Sequence, residues 1–143
     1  MGDVKSYNSS GGFDQYLYRQ VGETITASNG VQGKVITSSA DDNMFHDSLP
    51  FYSNTSEVYF KVSDETKQIE QARIYKERKV ALDFDWDHTH KPYEKGVVHV
   101  HEWHMNKKGE WKRSRTPRFM NDEEMKRYGE LIKKANPKAK LRP

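Results

Sequence analysis

The sequence predicts an α+β domain: a four- or five-stranded antiparallel sheet covered by a C-terminal helix, preceded by an irregular N-terminal segment. Three observations lead there. From Glu57 to Trp103, apolar residues recur mostly at every second position, the period of a half-buried strand, with no helical stretch between. From Asn121 to Ala135 the period lengthens to that of a helix. The first 48 residues are rich in Gly, Ser, Asn and Asp and keep neither period for long. The expected organisation is therefore a connector or lid over residues 1–48 and a β-rich, histidine-containing module over 49–143.

In chain order, Tyr7 to Gly12 has linker composition, and Phe13, Tyr16 and Leu17 are spaced for one or two helical turns. Short strands are expected at Glu23 to Ala27 and Lys34 to Thr37, flanking the turn signal Asn29-Gly30. Val58, Phe60 and Val62 alternate with Glu57, Tyr59 and Lys61, so one face of that strand can be buried. A second strand covers Ile69 to Tyr75, and a turn near Lys76-Glu77-Arg78 leads to a third. There Leu82, Phe84 and Trp86 share one face and Asp83, Asp85 and Asp87 the other; Trp86 continues the core face. In the fourth strand, Val97 to Trp103, Val98 and Val100 oppose His99, His101 and Trp103. Closely spaced strands of this kind form an antiparallel meander. The helix has Asn121 as its cap, Glu124 completing a capping box, Asp122 and Glu123 at the positive end of its dipole, and Asn136-Pro137 as its stop. Its stripe of Met125, Tyr128, Ile132 and Ala135 is read as the face that covers the sheet.

At 143 residues, 34% hydrophobic and 31% charged, the chain suits one domain with a modest core. No apolar run approaches the roughly 18 residues that a membrane span needs, and no signal peptide pattern opens the chain, so no membrane partner is expected. The absence of cysteine excludes disulfides and thiolate chemistry and fits the cytoplasm. Histidine, carboxylate and the basic residues are left as chemical actors. Residues 106–143 carry 13 Lys or Arg against 5 Asp or Glu, a net +8, whereas residues 1–105 sum to −5. Such a basic tail either seeks phosphate or folds back on its acidic neighbour.

Five of the six histidines fall between positions 88 and 104: His88, His90, His99, His101 and His104. His46, alone in a polar stretch, is read as incidental. Residues two apart on a strand share a face, so His99 and His101 stand side by side, and an antiparallel neighbour places Asp83 and Asp85 opposite or diagonal to them. Three readings follow from such a patch. In the first, His99 and His101 act as general base and acid in metal-independent RNA cleavage, helped by His88, Asp85 and the basic segment: Lys112, Arg113, Arg115 and Arg118 hold phosphates, and Trp103 stacks on a base. In the second, His88, His90, His99 and His101, with Asp or Glu, bind a divalent transition metal, for which zinc is a plausible ion; the first reading needs no cofactor. In the third, the hairpin is a hydrogen-bonded surface of a non-enzymatic binding module.

The runs Leu49 to Ser56, Gln71-Ala72-Arg73-Ile74-Tyr75, Asp83 to His90 and His99-Val100-His101-Glu102-Trp103 together resemble the C-terminal module of phage or prophage minor head proteins from Gram-positive hosts. That module is similar in turn to predicted ribonuclease-like domains of polymorphic toxins. The resemblance covers about two-thirds of the chain. It implies a compact β-rich domain with Arg73, the Asp-His-x-His segment and the His-x-His-Glu segment as its site. Arg73 would then offer a fixed guanidinium to phosphate. RNA and phage structural proteins would be its partners, and the cytoplasm or the virion its location.

Overall fold

A computed structural model describes residues 3–7, 15–37, 49–54, 56–86 and 96–143, the side chains of 3–7 and 15–17 excepted. Its elements in chain order are β1 (Asp3–Tyr7), β2 (Gln15–Gln20), β3 (Ile25–Thr26), β4 (Gln32–Thr37), β5 (Tyr52–Ser53), β6 (Val58–Val62), β7 (Ile69–Lys76), β8 (Lys79–Asp85), β9 (His99–Met105), β10 (Trp111–Arg113), β11 (Arg118–Phe119) and α1 (Asp122–Ala135). The fold is α+β, with a mostly antiparallel sheet and a C-terminal helix. Only β4–β6 pairs in parallel among these strands.

The four or five expected strands are too few. Eleven strands join one hydrogen-bonded system in the order β10-β9-β8-β5-β1-β2-β4-β6-β7, with β11 on β9 and β3 on β4. Because β7 also pairs with β8, the path returns on itself. β8 can serve both ends since its far edge is shared: Lys79 pairs with β5, and Leu82 to Asp85 pair with β9. Residues 1–48, expected as an irregular connector or lid, contribute β1 to β4; the short strands expected at Glu23 to Ala27 and Lys34 to Thr37 fall on β3 and β4, while β1 and β2 were not expected. Tyr16 and Leu17, whose spacing suggested helical turns, lie in β2 and pair with Ser6 and Lys5. Pairing with distant strands outweighs a short local period there.

Closure explains why both faces of the sheet are buried. One face, carrying Val58, Phe60, Val62, Ala72, Ile74, Phe84, Val98 and Val100, packs against Tyr128, Leu131 and Ile132 of α1. Trp86, as expected, belongs to this core. The other face holds a second cluster of Tyr18, Ile36, Leu49, Phe51, Tyr59, Tyr75 and Val80, with Trp103 and Trp111 packed against it. Helix α1 begins as its residues predict. Asn121 accepts from the Glu124 backbone N–H at 2.8 Å, and the Glu124 carboxylate accepts from the Asn121 N–H at 3.0 Å. The β3–β4 turn ties the N-terminal strands to the helix: the Ser28 N–H donates to Glu130 at 2.6 Å, and Asn29 Nδ2 to the Arg127 carbonyl at 3.0 Å.

Candidate functional site

Strand register builds the site. Across β6, β7, β8 and β9, Tyr59 pairs with Arg73, Arg73 with Asp83, and Asp83 with His101; one step along, Lys61 pairs with Gln71, Gln71 with Asp85, and Asp85 with His99. Directly opposed residues in an antiparallel pair share a face, so Arg73, Asp83, Asp85, His99 and His101 all project to the side of the second core cluster. The expected apposition of two acids with two histidines is present.

Its setting is interior. His99 is 0% exposed, His101 3%, Asp83 0% and Asp85 4%. The sequence led us to expect a water-accessible patch; closure of the sheet covers this face instead. Asp83 accepts three hydrogen bonds, from Arg73 Nε at 2.6 Å and Nη2 at 3.1 Å and from Trp103 Nε1 at 3.0 Å, and forms an ion pair with Arg113, whose Nε lies 3.0 Å away. Arg73 also donates through Nη1 to the Leu49 carbonyl at 2.8 Å, and its guanidinium lies 5.2 Å from the Trp103 ring centre. Burial works to lower the Arg73 pKa, but the charge and hydrogen bonds of Asp83 outweigh it, so the value is raised. The guanidinium expected to grip phosphate is thus committed to an internal carboxylate and to chain carbonyls.

The other predicted residues separate in the same way. Arg113 donates from Nη2 to Asp85 Oδ2 and forms an ion pair with Asp83. Arg118 donates to Glu124 at 2.8 Å and Glu102 at 2.9 Å, which raise its pKa against the opposing effect of burial. Trp103 packs edge-on against Phe51 and points its N–H inward at Asp83. Lys112 and Arg115 are exposed. His88 and His90, with Asp87, lie outside the described residues, as does His46. Asp83 was placed beside the histidines but given no role of its own, and the carbonyls of Ser114 and Leu49 were missed. Asp83 had a readable signal, its i, i+2 relation to Asp85; the two carbonyls had none, because any residue carries one.

The imidazoles themselves meet Asp85. His99 Nε2 is 4.0 Å from Asp85 Oδ2, and the rings of His99 and His101 sit edge to face with centres 5.6 Å apart. His101 Nδ1 lies 2.7 Å from the Ser114 carbonyl. A carbonyl only accepts, so His101 donates from Nδ1, which in the neutral imidazole leaves the lone pair on Nε2. Asp85, His99 and His101 each present one donor atom, all within 4.8 Å of one another. Around a tetrahedral ion with bonds of about 2.1 Å, ligand atoms stand roughly 3.4 Å apart, so modest side-chain rotations would close the set. A cleft of about 800 Å³ opens elsewhere, between the β7–β8 turn and the start of α1, and among the described residues no histidine lines it. Its Arg118 and Arg127 are occupied by Glu124 and Glu57, and the histidine cluster carries the more distinctive chemistry.

No family model, curated protein or solved structure matches this chain, so its functional reading rests on the residues and their geometry.

Proposed function

We propose that this chain is a divalent-metal-binding domain in which Asp85, His99 and His101 hold a transition metal, with zinc the ion best suited to two imidazoles and one carboxylate. The observation that carries the reading is the convergence of three donor atoms within 4.8 Å, all on buried side chains of two adjacent strands. Supporting it, the Ser114 carbonyl holds the His101 tautomer that leaves Nε2 to ligate, the usual outer partner of a metal-bound histidine. Three protein ligands leave a fourth tetrahedral position for water or another donor. The test is elemental analysis after dialysis of the purified chain against micromolar zinc. One zinc per chain is expected in the wild type and none in His99→Ala or His101→Ala. Zinc at about 100 times its Kd should also stabilise the fold by about 2.7 kcal/mol. No bound metal together with an unchanged melting temperature would end the reading.

RNA cleavage by the same histidines, within a phage-encoded module, is the second reading, favoured by the exposed cations Lys112 and Arg115 near them in sequence. General acid and base groups must come within hydrogen-bond reach of the ribose and the leaving oxygen, so this reading requires the His99 and His101 rings to become accessible. Incubation of RNA with the chain in chelator separates the two: cleavage lost in His101→Ala supports the nuclease, whereas intact RNA favours a binding domain.

A further inference from the structure

We infer that Arg113 gates the Asp85–His99–His101 cluster, holding as a resident cation the carboxylate that an incoming divalent ion must claim. This rests on the metal reading above and adds a means of control to it.

Three observations converge on Arg113. It contacts the same oxygen, Asp85 Oδ2, that lies 4.0 Å from His99 Nε2, so an ion placed between imidazole and carboxylate competes with the guanidinium for that atom. Its side chain is 39% exposed, against 6% for Asp85, 0% for His99 and 11% for Arg73, which puts it on the solvent side of the network. Its other partner does not depend on it: without Arg113, Asp83 keeps both hydrogen bonds from Arg73 and the one from Trp103. The guanidinium can therefore swing outward without leaving a buried charge bare at Asp83. What it gives up is the bond to Asp85, and a dication restores that charge balance.

Location on β10 makes this a device rather than a lone ion pair. β10 is a three-residue strand that pairs with β9 at Trp111↔Met105, Lys112↔His104 and Arg113↔Trp103. The next residue, Ser114, supplies the carbonyl that orients His101. Movement of this short strand would thus release Asp85 and unlock the His101 ring together. Arg73 cannot act in this way, because bonds to Asp83 and to the Leu49 carbonyl pin it in the interior.

The test measures zinc affinity and association rate with a chromophoric zinc chelator as competitor, in the wild type, Arg113→Gln, Arg113→Lys and His99→Ala, after circular dichroism has shown each to be folded. Arg113→Gln should bind zinc about tenfold more tightly and faster, since a charge-assisted bond to the ligand is gone. Arg113→Lys, which keeps the charge, should stay within about threefold of the wild type. Equal or weaker zinc binding by Arg113→Gln, with wild-type binding intact and His99→Ala deficient, overturns the gate and leaves the metal site standing. Absence of zinc binding in all four proteins, or binding that ignores His99→Ala, overturns the site and the gate with it.

Discussion

Replacing Asp83 by Asn tests whether the fold depends on the charge network behind the histidines. The carboxylate is 0% exposed and accepts three hydrogen bonds, two of them from Arg73, whose side chain is only 11% exposed, beside an ion pair with Arg113. Asparagine keeps the shape but removes the charge, so the Arg73 guanidinium is left buried with carbonyl partners alone. Breaking one side of a buried pair costs about 3–5 kcal/mol. For a domain of this size, at about 3–4 °C per kcal/mol, the melting temperature should fall by roughly 9–20 °C. Removing both charges, as in Arg73→Met with Asp83→Leu, should recover at least about 2 kcal/mol of that loss, because apolar residues of similar volume often replace a buried pair at little cost. The assay is urea unfolding followed by tryptophan fluorescence and far-UV circular dichroism, with all four members of the double-mutant cycle. An Asp83→Asn loss below about 1 kcal/mol, or a double variant whose loss equals the sum of the singles, would refute the view that Arg73 and Asp83 act as one buried unit.

Two further predictions concern the frame around the site. The β7–β8 turn places Glu77 at φ 50° and Arg78 at φ 69°, left-handed values that favour Asn and Gly, so Glu77→Asn with Arg78→Gly should stabilise the chain by about 1–2 kcal/mol; unchanged or lower stability in urea would count against strain in that turn. The Glu57 carboxylate is held below its ordinary 4.5 by hydrogen bonds from Arg127, then, against the opposing effect of burial, by one from Tyr128. A depressed folded pKa stabilises above the unfolded value and loses that contribution as pH falls through the folded one. The stability gap between wild type and Glu57→Gln should therefore be full at neutral pH and shrink below about pH 4.5, as thermal melts across pH would show; a gap independent of pH would contradict the pairing.

Local features were the legible part of this molecule. The helix from Asn121 to Ala135 declares itself through a cap, a capping box, an acidic first turn and an apolar stripe, all within fifteen residues, and each has its place in α1. Strands β6 to β9 were readable from alternation, and the placing of Asp83 and Asp85 opposite or diagonal to His99 and His101 followed from two adjacent strands running antiparallel. In the N-terminal half the strands flanking Asn29-Gly30 were readable and are β3 and β4, but β1, β2 and the longer-range pairings were not, because those take their stability from distant partners. β4 lies parallel to β6, and β1 reaches β5, pairings that leave no mark within either segment. Arg113 and Arg118 read as phosphate ligands because charge is visible in a sequence and the partner that neutralises it is not.

The sequence by itself determined which side chains share a face within β8 and within β9, since alternation is a property of neighbouring residues, while the register that sets Asp83 against His101 and Asp85 against His99 came from the structure. Only the tertiary structure decided which way that shared face looks. By pairing β7 with β8 while β8 also meets β5 and β9, the sheet closes and encloses Asp83, Asp85, His99 and His101 on a face that alternation alone would give to water. Enclosure then demands internal partners for every charge, because an ionised group taken out of water is stable only beside its opposite, and Arg73 and Arg113 meet that demand.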